Sequence, residues 1–150
     1  MIKVQLFDQQ SDLVIDPKSA KKVVSAVLDL EQSQADELSI YFVDTKEICR
    51  LHEEFFDDPS VTDCISFPMD SDKSLGYQFL GEVFVCPKTA INYVAERGSD
   101  PYIEATLYVV HGILHLLGYD DIAEEDEKVM REKEHTIMLH LTDKKILLRK

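Results

Sequence analysis

Apolar residues recur along the chain at intervals of two residues or of three to four, and these two periods predict four strands and five helices. The strands are predicted at 2–7, 37–43, 64–67 and 79–86, and the helices at 17–30, 44–55, 89–97, 101–117 and 124–140. Strands and helices do not alternate strictly. We therefore expect an α+β fold, with a small mixed four-stranded sheet packed against about five helices. The sequence has no linker, repeat or low-complexity tract, which indicates a single domain over residues 1–150.

Three of the predicted helices begin at recognisable start signals. Asp16–Pro17 and Asp100–Pro101 each combine an aspartate that can cap a helix with a proline suited to its first turn. The segment from Asp44 to Glu47 has the spacing of a capping box. The helix at 101–117 is apolar almost all round, which predicts that it is buried. A polar stretch at 70–73 predicts a surface turn.

The chain is strongly acidic, with a formal net charge of −13 over 150 residues. Phosphate binding normally needs a surface rich in Lys and Arg, so this charge argues against broad, non-specific adhesion to nucleic acid. Basic residues cluster in two short segments, at 18–22 and at 144–150. We expect the first to be a solvated helix face and the second to be a frayed terminus.

The spacing of the cysteines and the polarity of the first residues indicate the cellular compartment in which we expect the protein. Cys49, Cys64 and Cys86 are far apart and form no Cys-x-x-Cys pair. This pattern is typical of reduced core residues in a cytosolic protein, and it disfavours a disulfide framework or a cysteine zinc site. The first residues contain no apolar run long enough for a signal peptide or a membrane anchor. We therefore expect a cytoplasmic protein with no membrane partner.

The segment 111–121, His-Gly-Ile-Leu-His-Leu-Leu-Gly-Tyr-Asp-Asp, carries the strongest chemical signal. Side chains four residues apart on a helix lie about 40° apart around its axis, so His111 and His115 share one face. Gly118 can adopt the left-handed conformation that reverses the chain and returns Asp121 towards the histidines. Two imidazoles and one carboxylate with an open position are typical of catalytic zinc. The alternative is a pair of core histidines bonded to backbone groups.

The residue after His111 is Gly112, so the glutamate base of a His-Glu-x-x-His zinc peptidase is absent. A general base must then come from elsewhere, or water activated by a metal must suffice alone. Gly112 would let a bulky substrate approach the metal, and a glycine required by core packing is the alternative interpretation. The motif therefore disfavours a peptidase.

The motif at 111–121 resembles the signature of the YbeY family, His-Gly-x-Leu-His-Leu-x-Gly-Tyr-Asp-His, whose members are described as metal-dependent endoribonucleases of rRNA maturation. Thr-Asp-Cys-Ile-Ser-Phe-Pro at 62–68 resembles the family's Thr-Asp-Val-Leu-Ser-Phe-Pro. Leu-Gly-Glu-Val-Phe-Val at 80–85 resembles its Leu-Gly-Asp-Ile-x-Ile. The resemblance covers essentially the whole chain.

This resemblance implies a zinc-dependent endoribonuclease specific for single strands, with about one Zn²⁺ per chain. Its implied roles are processing of the 3′ end of 16S rRNA and ribosome quality control. The implied partners are single-stranded rRNA precursor and the small ribosomal subunit or its proteins. The implied mechanism polarises a phosphodiester oxygen or lowers the pKa of bound water, in a cleft shallow enough for a splayed single strand.

The chain departs from the family pattern at two positions. Asp121 stands where the family has its third zinc-binding histidine, so the resemblance implies His111, His115 and Asp121 as the metal ligands. The carboxylate should raise the pKa of bound water and favour harder metals such as manganese or iron. Phe56 stands where the family commonly has an arginine. Phenylalanine cannot clamp a phosphate but could stack on a base, and packing in the core or at the surface is the role we favour.

Three more residues are candidates for catalytic roles. Ser66 and Thr62 could bind a phosphate oxygen, and Asp120 could orient a metal ligand or a water molecule. Each of these residues could equally be a turn or capping residue. His135 and His140 lie on the last predicted helix, where we expect exposed or loosely packed histidines.

Two other functions stay open at this point. A ribosome-assembly factor with a mainly structural metal is compatible with the acidic charge, the altered third ligand and the missing arginine. A small metallopeptidase is suggested by the histidine pair on a helix, although the glycine at position 112 counts against it.

Overall fold

The computed structural model describes residues 2–70, 72–74 and 76–150. In this part of the chain the elements are β1 (Lys3–Gln9), α1 (Pro17–Leu30), β2 (Glu37–Val43), α2 (Thr45–Phe56), β3 (Cys64–Pro68), β4 (Phe79–Val85), α3 (Pro87–Ala95), α4 (Pro101–Leu116) and α5 (Glu124–Asp143). The predicted α+β fold is confirmed. The last helix extends three residues beyond its predicted end. The turn predicted at 70–73 includes Ser71, which lies outside the described residues.

The four strands form one mixed sheet in the order β1-β2-β4-β3. The pairs β1–β2 and β2–β4 are parallel, and β3 runs antiparallel to β4. Parallel neighbours require crossover connections, and α1 lies in the first crossover while α2 and β3 lie in the second. This topology places β3 at one edge of the sheet, where it packs against α4.

Helix α4 is the central helix of the domain. Nine of its residues are buried, and it packs against β3, β4, α1, α3 and α5, as its apolar sequence predicted. Gly112 faces the sheet, since a Cβ at this position would collide with Val83 and lie 3.2 Å from Ser66 Oγ. Close packing of helix on sheet therefore explains this glycine, and the substrate-access interpretation is not needed.

The predicted helix starts are present. Asp16 and Asp100 each accept a hydrogen bond from the backbone N–H two residues later, at 3.2 and 2.8 Å. Asp44 accepts from the N–H of Glu47 at 2.9 Å, which is one half of the predicted capping box. The Glu47 carboxylate turns instead to Arg50, whose Nε donates to it at 2.8 Å. Arg50 thus competes successfully for the carboxylate expected to complete the box.

The segment 146–150 is docked on the domain, so the expected frayed terminus is wrong. Leu148 is 2% exposed, and its N–H donates to Thr106 Oγ1 at 3.0 Å. The carbonyl of Arg149 accepts from the N–H of Asp16 at 2.7 Å. The apolar residues of this segment pack on the core while its charged side chains stay exposed, which a count of basic residues does not reveal. The lysines near the start of α1 are exposed, as predicted.

None of the helices in the described residues is both long enough and apolar enough to span a membrane. All three cysteines carry free thiols, and Cys86 is buried while Cys49 and Cys64 are half-buried. His135 is exposed and His140 half-buried on α5, as expected for histidines outside the site.

Candidate metal centre

The turn after α4 is built around Gly118, whose φ of +102° lies in the left-handed region. The N–H of Gly118 donates to the carbonyl of His115 at 3.0 Å, and the N–H of Tyr119 donates to that of Leu114 at 3.0 Å. These are the two hydrogen bonds of a Schellman motif. The predicted reversal is therefore present, and it brings Asp121 back to the histidines.

The side chains of His111, His115 and Asp121 converge on one point. The two Nε2 atoms are 3.0 Å apart, and Asp121 Oδ2 lies 3.5 Å from Nε2 of His111 and 3.7 Å from Nε2 of His115. Three ligand atoms placed tetrahedrally around zinc would lie about 3.3 Å from one another. The observed triangle spans that value. The three atoms could therefore hold one metal ion and leave a fourth position open.

In their neutral forms, the two imidazoles point unprotonated Nε2 atoms towards this point, because each ring uses Nδ1 for another hydrogen bond. The Tyr119 carbonyl can only accept, so Nδ1 of His115, at 3.0 Å, must donate, and the neutral ring has no hydrogen on Nε2. Nδ1 of His111 lies 2.5 Å from Oε2 of Glu134, which favours the same tautomer. Two nitrogen lone pairs and a carboxylate oxygen repel one another unless a proton or a cation lies between them. A divalent cation satisfies all three atoms at once.

Glu134 on α5 is the residue of this site that sequence reasoning missed. Its side chain is buried, and its second carboxylate oxygen accepts from Arg131 Nη1 at 3.1 Å. Burial alone would raise the pKa of Glu134, but His111 and Arg131 outweigh burial and hold it below its usual value. Burial likewise opposes the charged form of His111, yet Glu134, followed by Asp63 and Asp121, holds the pKa of that imidazole above its usual value. A carboxylate behind a ligand histidine fixes the ring orientation and tautomer.

A signal for Glu134 was present in the sequence. Met130, Ile137 and Leu141 form the buried stripe of α5, and Glu134 occupies a position on that stripe. An acidic residue on the apolar face of a helix needs a partner, because an unpaired buried carboxylate is strongly unfavourable. The pattern indicates that a partner exists, although it cannot name His111.

The three convergent side chains line an open cavity of about 370 Å³. Thr62, Ser66 and Asp120, the candidate catalytic residues, line the same cavity. Two exposed apolar side chains also line it, Phe56 at 55% and Ile122 at 87% relative exposure. The candidate metal ligands and exposed apolar side chains thus border one open space.

The three candidate catalytic residues already form hydrogen bonds within the protein, and these bonds limit what each side chain can bind. Ser66 Oγ donates to the carbonyl of Gly112 at 2.9 Å, which ties β3 to α4. Oδ1 of Asp120 accepts from the N–H groups of the next two residues at 2.7 and 3.2 Å, as a turn residue does. Thr62 Oγ1 lies 3.4 Å from Oδ1 of Asp63, a long contact that leaves its hydroxyl the most available of the three. Their catalytic roles stay predictions.

Cys64 lies among the residues that line the cavity. Burial, followed by the nearby charge of Asp63, raises the pKa of its thiol well above the usual value. The group of ligand atoms that converge on one point consists of the two imidazoles and the Asp121 carboxylate, and the Cys64 sulfur is not part of it.

Comparison with known proteins decides the family. A family model described as Endoribonuclease YbeY matches residues 5–142 of this chain. The chain belongs to the YbeY family. It is 48% identical over 141 residues to the Endoribonuclease YbeY of Protochlamydia amoebophila, an alignment that covers 94% of each sequence. It is 42% identical over 151 residues to the Endoribonuclease YbeY of Chlamydia felis, which covers 98% of this chain and 96% of the relative.

A solved structure supports the fold. The solution structure of TM1509 from Thermotoga maritima matches with a TM-score of 0.62 and 22% sequence identity, over 91% of this chain and 87% of that one. At this identity the likeness concerns the fold alone. It agrees with the α+β architecture of this YbeY chain.

The two departures from the YbeY pattern have distinct structural outcomes. Asp121 occupies the third corner of the triangle, so a carboxylate at this position reaches the point that both imidazoles face. Phe56 is an exposed surface residue, and its ring is tilted against that of His52 with 5.9 Å between centroids. Phe56 therefore belongs to the lining of the open cavity and not to the core.

Proposed function

We propose that this chain is a metal-dependent endoribonuclease that cuts single-stranded RNA at the centre formed by His111, His115 and Asp121. The observation that carries the proposal is the convergence of two Nε2 atoms and one carboxylate oxygen on a single point in an open cavity. Membership of the YbeY family supports RNA as the substrate class.

A divalent ion in this centre would supply Lewis-acid activation of water and of a phosphoryl oxygen. His111, His115 and Asp121 would hold it, and Glu134 would keep the His111 ring oriented through Nδ1. The hydroxyl of Thr62 is available to bind a phosphate oxygen of the substrate. Ser66 would act mainly by fixing β3 against α4.

The open shape of the cavity favours a single strand as substrate. A splayed strand can place its phosphodiester near the centre while its bases contact apolar side chains. Phe56 and Ile122 offer such contacts on the lining of the cavity. Phe56 carries no charge and cannot bind a phosphate, so it would contribute to RNA binding by stacking on a nucleobase.

The cellular role that we propose is maturation of rRNA, including the 3′ end of 16S rRNA, together with ribosome quality control in the cytoplasm. The resemblance at 62–68, 80–85 and 111–121 supports this role, with zinc as the metal. A net charge of −13 disfavours long-range attraction between the chain and RNA. We therefore propose that docking on the small ribosomal subunit or its proteins brings the chain to its substrate.

The test is cleavage of an end-labelled single-stranded RNA and of its duplex by the zinc-loaded chain. We expect internal cuts in the single strand alone, lost in His115→Ala and after chelation. His135→Ala provides a matched control, because it removes an exposed histidine outside the site. Cleavage that survives in His115→Ala would refute the proposal. Unfolding on chelation without any RNA cleavage would favour the assembly-factor alternative.

A further inference from the structure

A second cavity, of about 590 Å³, adjoins the metal cavity. Thr62, His111 and Asp121 line both spaces, so a strand bound at the centre could extend into either. Its volume is within the range of sites that bind small molecules. The proposed chemistry leaves most of its lining without a role.

Part of this lining is aromatic or apolar. Tyr93 is 46% exposed, and Tyr108 and Leu107 line the same space. The guanidinium of Arg97 lies 3.8 Å from the centroid of the Tyr93 ring and donates to the Tyr93 carbonyl at 2.7 Å. The hydrogen bond anchors the guanidinium, whose cation–π contact restrains the ring. Restrained aromatic rings beside a strand path are typical surfaces on which nucleobases stack.

The remaining lining is rich in hydrogen-bond acceptors. Asp63, Glu104 and Glu134 all line this cavity. Glu134 already binds His111 and Arg131, and one oxygen of Asp63 accepts from a backbone N–H at 2.7 Å. Glu104 is half-buried in this lining, four residues before Tyr108 on α4, and its two carboxylate oxygens are further acceptors. A ligand for this cavity should therefore present N–H donors.

We propose that this second cavity binds one base of the single-stranded RNA and prefers cytosine to uracil, with Glu104 as the acceptor that selects it. The proposal rests on the proposed function and names a subsite for its substrate. Cytosine and uracil have the same shape, but cytosine carries an N4 amino donor where uracil carries an O4 acceptor. A carboxylate accepts from the amino group and repels the carbonyl oxygen.

The charges around the cavity fit a base better than a phosphate. Four carboxylates, Asp63, Glu104, Asp121 and Glu134, line it, and Arg131 is the one Lys or Arg among the lining residues that the structure describes. The Arg131 side chain is 60% exposed, so it can meet the backbone of a strand while the base lies deeper. The carboxylates inside the cavity would then form the hydrogen bonds that select the base.

The test measures binding separately from cleavage. Labelled hexacytidylate and hexauridylate are titrated with the zinc-loaded full chain, fluorescence anisotropy reports affinity, and a gel confirms that each probe is intact. We expect hexacytidylate to bind roughly tenfold more tightly. Glu104→Gln should abolish that preference, because its amide can donate to uracil O4. Glu96→Gln, a charge-matched change on an exposed residue, should keep it.

A second variant separates stacking from selection. Tyr93→Ala should weaken binding of both hexamers by a similar factor, since stacking tolerates either base. Equal affinity of the wild-type chain for the two hexamers would overturn the subsite, as would a preference that persists in Glu104→Gln. Absence of RNA cleavage would refute the proposed function instead, and the affinity ratio would still decide the subsite.

Discussion

The two histidines of the centre face the same point, but they differ in how far along the chain their hydrogen-bond partners lie. His115 is held by the carbonyl of Tyr119, four residues later, in the turn that Gly118 makes possible. His111 is held by Glu134, 23 residues later, on a separate helix. One half of the centre is therefore a local structure, and the other half depends on the docking of α5. A change that displaces α5 should therefore disturb the position of His111 before that of His115.

The largest difference should appear when each imidazole is removed from the metal-free chain. His111→Ala leaves the buried Glu134 with Arg131 alone, and we expect a loss of about 1–3 kcal/mol in the free energy of unfolding. His115→Ala frees a carbonyl in a turn that water can reach, so its loss should be smaller. Urea unfolding in the presence of a chelator measures both. Equal losses would show that the two supports do not differ.

The next effect concerns the carboxylate behind His111. Glu134→Gln keeps an oxygen that can accept from Nδ1 but removes the charge that makes the imidazole a stronger ligand. We expect zinc affinity to fall roughly 10- to 100-fold, measured by competition with a chelating dye. Glu132→Gln, at an exposed position of the same helix, is the control and should bind zinc as the wild type does. Unchanged zinc affinity in Glu134→Gln would show that the charge of Glu134 does not strengthen metal binding by His111.

The local half of the centre is tested at Gly118. A Cβ there meets open space, so Gly118→Ala acts only through the left-handed backbone, which costs about 1–2 kcal/mol. Gly98 is a matched control, with φ of +66° and equally open surroundings. Both variants should lose stability in thermal or urea unfolding, and the loss should be larger for Gly118→Ala, whose φ lies further from the left-handed minimum. Only Gly118→Ala should also weaken zinc binding, and a similar loss of affinity in Gly98→Ala would count against the turn as a support.

The smallest effect is expected at the side chain of Tyr119, whose hydroxyl donates to Glu31 at 2.6 Å. Tyr119→Phe removes this bond but leaves the backbone carbonyl that holds His115. We expect a loss of about 0.5–1.5 kcal/mol in the free energy of unfolding, with zinc affinity nearly unchanged. A large loss of affinity would mean that the side chain, and not the turn alone, positions that carbonyl.

These two halves also show what a sequence can predict. The pair of histidines, the turn at Gly118 and the aspartate caps depend on residues within a few positions of one another, and each was predictable. The place of Asp121 followed from the same local turn. Local chemistry therefore predicted most of the geometry of the candidate metal centre.

Features that depend on long-range packing were harder to predict from the sequence. Glu134 reaches His111 only because α5 docks beside α4, and Gly112 is explained only once Val83 lies across from it. The docked segment at 146–150 was mistaken for a frayed end, because its charges were weighed more heavily than the three apolar residues within it. In each case, the deciding contact joins residues far apart along the chain.

The central claim is that His111, His115 and Asp121 together hold one divalent metal ion. Elemental analysis of zinc bound per chain after dialysis, for the wild type beside Asp121→Ala, tests it most directly, with Asp126→Ala as a control at an exposed aspartate. The account predicts about one equivalent in the wild type and in the control, and markedly less in Asp121→Ala. A wild-type chain that binds no zinc when zinc is supplied, or an Asp121→Ala chain that keeps its full equivalent, would contradict it.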